Sequence, residues 1–590
     1  MKTLLNKKLL ISCTAALLCI TLVRAQIPDR LKNLSPFKFP TSIFSSLHRP
    51  HETGKLNTML CSANAPCLKA QTTLGGSNYD QGSKMIKTRD GGFIVCGLTF
   101  SNDGDFQTKD TINGDAYIAK YNRFSQLEWT KTYGGSGNDV FNDIVQTYDG
   151  GYAVAGQTTS NDGDVSGNHG GNDVWLVKLN ASGTIEWQKC YGGTGDEFGN
   201  AIVQTLFGGY AIATFTSSND GDVSGNHNTD GNFDGWFIQV GNKGNLLFQH
   251  CYGGSDFDGF FAMVPSDFGS FILEGSTSST NGDVSGDHGG GDAWVVKVNA
   301  FGKILWQKCV GGSGIDATGS NEIAKTTDGN VVINGYSNSP DGDINAQNDT
   351  VVSYIAKLNS ATGNIIWSKS YADPIYRAGF GIFATKDGGS VEAGYVGPNA
   401  FDNSTHDALI SKFDKNGNEE WYKRVGGSDF DGALIGYEYP SGNLNILCQT
   451  ASTDGDVKNN HGNIDEWIIK LGRCGDNFND DDVSPVADSY SNNISISKNI
   501  NQAFTIYPNP VNSSTNISFT LTQSQRVSLR IFDVSGRLVK TLADESMQAG
   551  DHQLTWDATN DKGSNVASGI YLLKLQAGNN IETRKISVLK

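Results

Sequence analysis

Short apolar runs of six to eight residues recur through most of the chain, rich in Val, Ile, Tyr and Trp and partly alternating with polar positions. Each run is cut off by a Gly- and Asp-rich turn, so the pattern predicts β-strands and gives no helical period. The pattern also repeats. The segment that opens at Gly134 and runs through DGGYAVAGQTTSNDGDVSGNHGGNDVWLVKLNASGTIEWQKCY has relatives opening at Gly75, Gly192, Gly253, Gly311, Ala372 and Gly426, seven copies 54 to 61 residues apart. In the second copy the strands are expected over Asn142 to Thr147, Tyr152 to Thr158, Val174 to Leu179 and Thr184 to Tyr191, with turns at Asp149-Gly150-Gly151 and Asn180-Ala181-Ser182-Gly183. A lone four-stranded sheet leaves a face uncovered. Seven stacked around an axis bury both faces, which is the logic of a propeller blade.

Aromatic positions agree. Trp129, Trp187, Trp306, Trp367 and Trp421, with Phe248, fall at one place on the fourth strand. Trp175, Trp236, Trp294 and Trp467 recur on the third, where Tyr117 and Tyr354 substitute. Such rows read as packing between neighbouring sheets rather than as a platform for carbohydrate. The seventh copy stops after Trp467-Ile468-Ile469-Lys470-Leu471, one strand short, and a spare fourth strand, Cys67 to Leu74, precedes the first Gly-Gly. Pairing the two would close the ring and remove its free edges. Counted along the repeat, Cys67 aligns with Thr184 and Cys474 with Ser182, on either side of one hairpin turn. A Cys67–Cys474 disulfide is therefore expected, with Cys61 as the alternative partner. Cys190, Cys251 and Cys309 share one position on neighbouring blades, too far apart to bridge, and read as buried and inert.

The longest loop joins the second and third strands. In DGDVSGNHGGND, oxygen donors fall at positions one, three, five and twelve of an EF-hand-like count, with Gly at six: Asp162, Asp164, Ser166, Asp173 and Gly167. The fourth copy offers Asn281, Asp283, Ser285, Gly286 and Asp292. The third offers Asp220, Asp222, Ser224 and Gly225, then extra residues before Asp234. The seventh offers Asp454, Asp456 and Asp465, with Lys458 and Asn459 at five and six. The first and fifth copies keep only two of the acids, and the sixth lacks the motif. Calcium is the candidate cofactor, set against the plain role of Asp and Asn as turn-capping residues. His169, His227, His288 and His461, one per blade, cannot gather on one zinc ion. The loop shares a face with the connector from Tyr133 to Asp139, and that Gly-, Asp- and Asn-rich face is the expected place for a ligand.

The chain has 590 residues and a formal net charge of −17, which disfavours nucleic acid and anionic lipid as partners. Lys2, Lys7 and Lys8 precede an apolar run from Leu9 to Val23, and Val23-Arg24-Ala25 offers a cleavage site. Residues 1–25 read as a signal peptide, too short to span a bilayer, and no second apolar run is long enough. Residues 26–66 form a lead segment, 67–474 the propeller, 475–502 a solvated linker and 503–590 a small Ig-like β-sandwich. No G-x-S-x-G, H-E-x-x-H or P-loop is present, and the acids follow the repeat.

The last segment carries ordered motifs: Tyr507-Pro508-Asn509-Pro510, Asp533-Val534-Ser535-Gly536-Arg537, His552 with Trp556-Asp557, Ser568-Gly569-Ile570-Tyr571, and the basic residues Arg584, Lys585 and Lys590. It resembles the type A C-terminal sorting domain of the type IX secretion system of Bacteroidetes. That resemblance implies export to the periplasm, passage through the outer membrane with the type IX machinery as partner, removal of the tail, and release or attachment to surface lipopolysaccharide. The repeats look like the propellers common in proteins bearing this tail. Their Lys178-Leu179-Asn180 through Gly183 to Trp187 stretch is similar to quinoprotein-type propellers, though without the residues that quinone binding needs. The expected fold is all-β: a seven-bladed propeller plus an Ig-like sandwich. The expected function is a secreted or surface-attached, non-catalytic binding or adhesion module for a glycan or protein; the alternative is a secreted enzyme acting on an extracellular polymer.

Overall fold

A computed structural model describes residues 62, 64–475 and 505–589, apart from 109–111, 206–207, 229–230, 319–322, 345, 347–350, 372–375, 398–405, 522, 534–537 and 578–579, with backbone only at 268, 570, 580–583 and 585. The signal peptide, nearly all of the lead segment and the linker lie outside these residues. Two compact units are formed, the ring of repeats and the tail.

The ring consists of seven antiparallel sheets, six of them meanders of strands in chain order and the seventh completed by a strand from the N-terminal side. In the second blade the strands are Asp139–Gln146, Tyr152–Thr158, Asp173–Leu179 and Ile185–Tyr191. The first strand thus begins three residues ahead of the sequence expectation and the third begins one ahead. The cause is the same in both. Asp139 and Asp173 are fully buried and both pair with Thr158, one from each flanking strand, so the ladder extends back to them. The connector shrinks accordingly to Gly134–Asn138. A bulge at Asn142 separates Phe141 from Asp143 in the register, and it recurs in the first strands of blades one, three, six and seven.

Closure follows the sequence. Cys67–Leu74 pairs antiparallel with Asp465–Gly472, from Cys67 opposite Gly472 to Leu74 opposite Glu466, as the outer strand of the seventh sheet. The Cys67–Cys474 disulfide forms, with Cα atoms 5.1 Å apart. Third-strand Trp175, Trp236, Trp294 and Trp467 are fully buried between blades. Fourth-strand tryptophans are only partly buried, and Trp129, Trp187, Trp306 and Trp367 each lie under the next blade's hairpin. A Cβ on Gly183 would sit 2.9 Å from the Trp129 ring, one on Gly363 2.6 Å from Trp306, and one on Gly417 2.7 Å from Trp367. Gly183 also has φ of +74°, so backbone and space both call for glycine there.

The tail is a sandwich of a three-stranded sheet (Thr505–Tyr507, Thr515–Leu521, Gly550–Trp556) and a four-stranded sheet (Leu538–Met547, Gln525–Asp533, Gly569–Ala577, Asn580–Val588). Alternating residues of both sheets, Ile517, Phe519 and Leu521 against Leu529, Ile531 and Leu573, close its core around Trp556.

Candidate functional site

The loop face is built from the acids that the repeat places there, and each is held by its surroundings. Asp162 accepts the Ser136 N–H of the connector at 2.7 Å, and Asp164 accepts the Gly134 N–H at 3.3 Å. In the third blade Asp220 takes both the N–H and the hydroxyl of Thr194, while Asp222 donates its N–H to the Gly192 carbonyl. Asn281 accepts from Ser255 N–H and Asp454 from Ser428 N–H. Asp283 and Asp456 lie 3.4 Å from the N–H groups of Gly253 and Gly426. Each loop is thereby stitched to the connector entering its own blade.

Ser166, Ser224 and Ser285 are clasped from the other side. Gln188 Nε2 donates to the hydroxyl of Ser166 at 2.7 Å, and Gln249 and Gln307 do the same for Ser224 and Ser285. The Oε1 of each glutamine accepts the indole N–H of a core tryptophan: Trp175 for Gln188, Trp236 for Gln249 and Trp294 for Gln307. In the closing blade Gln71, from the N-terminal strand, accepts from Trp467. Sequence reasoning missed these glutamines. The available signal was a Gln one residue after the fourth-strand aromatic in Trp187-Gln188, Phe248-Gln249 and Trp306-Gln307.

Asp173, Asp234, Asp292 and Asp465 are fully buried, and each accepts the backbone N–H of its loop histidine and lies 2.6–2.7 Å from that ring's Nδ1. The four histidines sit one per blade, as the repeat requires. Among the described residues, no three acids, histidines or cysteines come together as a metal-binding group.

The same acids belong to a second pattern. At six of the seven blade junctions a third-strand acid faces the first-strand acid of the next blade: Asp115 and Asp139, Asp173 and Glu197, Asp234 and Asp258, Asp292 and Asp316, Asp407 and Asp431, Asp465 and Asp80. A Cβ on Gly134 would lie 2.6 Å from Asp139 Oδ2 and 2.7 Å from Asp115 Oδ1, so only glycine fits between them. Asp139 accepts from Thr158, Ser160 and the Gly135 N–H. Burial nevertheless raises its pKa to about 6, with Asp115 adding to the rise. Burial lifts Asp80 likewise to about 6, and Asp258 and Asp431 to about 7. The junction between blades five and six differs: Val352 and Arg377 take the two places, and Arg377 reaches Glu392 at 3.2 Å and Glu419 at 2.9 Å. The free thiols of Cys190, Cys251 and Cys309 are buried, and burial pushes Cys190 up to about 12.

A cavity lies on the opposite face, where the hairpins turn. It measures about 360 Å³ and is lined by Trp421, Leu444, Arg473, Cys474 and the lead residues Asn64 to Pro66. The sequence pointed to the loop face for a ligand; the loops there are packed against the connectors, and this cavity sits at the ring closure.

In the tail, Tyr507 is 79 % exposed, and Asn509 accepts the Ser587 N–H beside Pro508 and Pro510. Tyr571 follows Gly569 in the strand, packs edge-on to Trp556 and donates its hydroxyl to the Ala567 carbonyl. Gly536, Arg537 and Lys590, and the side chain of Lys585, lie outside the described residues.

Residues 505–589 match the family of secretion system C-terminal sorting domains. No curated protein matches the chain. Among solved structures, PorZ, an essential bacterial surface component of the type IX secretion system of Porphyromonas gingivalis, is 12% identical with a TM-score of 0.35, over 88% of this chain and 60% of that one. The chain thus spans less than two thirds of PorZ. A Dyadobacter fermentans protein of unknown function is 11% identical with a TM-score of 0.33, over 62% and 99%, and a Xanthomonas campestris gluconolactonase 9% identical with a TM-score of 0.27, over 55% and 91%. With the sandwich at its C-terminus matched to that family and its repeats folded into blades, the chain is a β-propeller protein that carries a secretion system C-terminal sorting domain at residues 505–589.

Proposed function

We propose that the chain is a non-catalytic binding or adhesion propeller, carried through the periplasm behind a signal peptide at residues 1–25 and then released or held at the outer cell surface once its tail has engaged the type IX machinery. The sorting-domain match at residues 505–589 supports the export route. One observation carries the binding reading. The acids of the loop face, the obvious source of hydrolytic chemistry, accept hydrogen bonds that lock the loops of blades two, three and seven to their connectors, and Asn281 does the same in blade four. Carboxylates held this way serve the scaffold, whereas glycoside chemistry needs an acid and a base facing an open cleft. The test is a glycan and protein array run beside a polysaccharide activity screen on the secreted chain. Saturable binding without turnover is expected. Turnover that disappears when one loop acid, such as Asp164, is replaced by Asn would overturn the proposal in favour of an enzyme.

A further inference from the structure

The seventh blade differs from the others in what holds its outer strand. In blades two to four that strand follows the third through a short hairpin, such as residues 180–184, so the chain itself fixes its place. In blade seven it is Cys67–Leu74, paired with Asp465–Gly472 and tied at the hairpin end by the Cys67–Cys474 bond. The same strand holds the loop at the far end of its blade. Gln71 stands where Gln188, Gln249 and Gln307 stand, yet it bonds differently. In blades two to four the glutamine Nε2 donates to the carbonyl and hydroxyl of a loop serine. Gln71 Nε2 donates to the Asp456 carbonyl at 2.6 Å, and its Oε1 accepts the Lys458 N–H at 3.1 Å. Thr73, at the place of Cys190, donates its hydroxyl to the Asn459 carbonyl at 2.7 Å. The loop needs this hold. At the position where Gly167, Gly225 and Gly286 have φ of +89°, +88° and +82°, blade seven has Asn459 with φ of +62°, a conformation that residues with a Cβ resist. The closing strand thus pins the loop that carries a side chain at its left-handed turn.

At the rise of a strand, Gln71 and Thr73 lie roughly 13 and 20 Å from Cys67, so one rigid element joins the disulfide to the loop. We propose that the Cys67–Cys474 bond is a redox switch read at the loop face: opening it lets the closing strand part from Asp465–Gly472 and releases the loop at residues 454–461. The reductant is a dithiol. One of its thiolates attacks Sγ of Cys474, which is exposed, and Cys67 leaves as a thiolate. The second thiol of the reductant, as a thiolate, resolves the mixed disulfide. Both cysteines are left reduced, and the reductant departs with its own S–S bond. Without the cross-link, parting of the strand frees its whole N-terminal side, and local opening gains the entropy that the bond withheld. The device acts whether the loop face binds or catalyses, and so stands apart from the binding reading.

The test is amide hydrogen exchange of the full secreted chain, read by mass spectrometry on native protein before and after excess dithiothreitol, with alkylation to confirm that Cys67 and Cys474 are free. Exchange over residues 454–461 should rise about tenfold or more on reduction. The matching loop of blade two, residues 162–169, should keep its rate, because Gln188 sits on a hairpin-linked strand. Chain with both Cys67→Ser and Cys474→Ser should exchange at the reduced rate and ignore the dithiol. Gln71→Ala and Thr73→Val, each with the bond intact, should speed exchange in the same loop, which places the coupling in the closing strand. Unchanged exchange at residues 454–461 in reduced native chain would overturn the switch. So would an equal rise in both loops, the mark of general loosening, or full protection of the loop in both Gln71→Ala and Thr73→Val. A bond that the native chain keeps against the dithiol would overturn it as well.

Discussion

At the scale of single residues, the ring is organised around carboxylates that it keeps away from water. For Asp80, Asp139, Asp258 and Asp431, burial raises the folded-state pKa to about 6 or 7 from an ordinary value near 4. An acid raised in this way stabilises the fold fully below its unfolded pKa, and the contribution is lost as pH climbs through the folded value. Stability should therefore fall as pH rises from about 4 to about 7, by on the order of 1–3 kcal/mol for each such acid, and the melting temperature with it. Differential scanning calorimetry across that range checks it, and Asp139→Asn should flatten the slope. A flat profile in the unmodified chain would contradict the buried pairs. Asp149 works the other way. Burial opposes its ionisation, but hydrogen bonds from Thr147 and Gly151 and the Lys178 ammonium hold it down to about 2. Its support, present above the unfolded value, disappears as pH drops below about 4. Gln188→Ala should cost about 1–3 kcal/mol in chemical denaturation, because it strips the Trp175 indole N–H of its acceptor and releases Ser166 together. The residue scale is where sequence reading stopped short. It located Asp162, Asp164, Ser166 and Asp173, and the spacing of oxygen donors matched a cation loop. It had no means of knowing that Gln188, the Gly134 and Ser136 amides and His169 stand opposite them, since those partners arise only when neighbouring strands and connectors come together.

At the scale of elements, much more was legible. Four strands per copy, turns at the Asp-Gly-Gly and Asn-x-x-Gly sites, and the missing strand of the seventh copy all appear in the sheets. The repeat makes every blade a restatement of the others, so one well-patterned copy disciplines the rest. What moved was the start of the first strand, drawn back to Asp139 by a buried side chain rather than by apolar patterning. The closing strand carries the clearest prediction at this level. The Cys67–Cys474 bond restrains a loop with a sequence separation of 407. Cys67→Ser, or reduction of the bond, should cost about 2–5 kcal/mol, the latter read as a lower midpoint in reducing than in non-reducing melts. An unchanged midpoint would mean that the strand ladder alone carries closure.

At the scale of the whole molecule, the tail has a core of its own. Deleting residues 505–589 should leave a ring with its usual melting profile while the protein disappears from the medium and the surface fraction, as followed by mass spectrometry. The pairing of Cys67–Leu74 with Asp465–Gly472 has a further effect on timing. A polypeptide delivered from its N-terminus presents the outer strand of the last sheet first and must hold it unpartnered until nearly four hundred further residues have arrived. Contacts so distant in the chain form late. The final seam is thus a built-in delay: the ring cannot lock until Asp465–Gly472 has followed the strand that opens it.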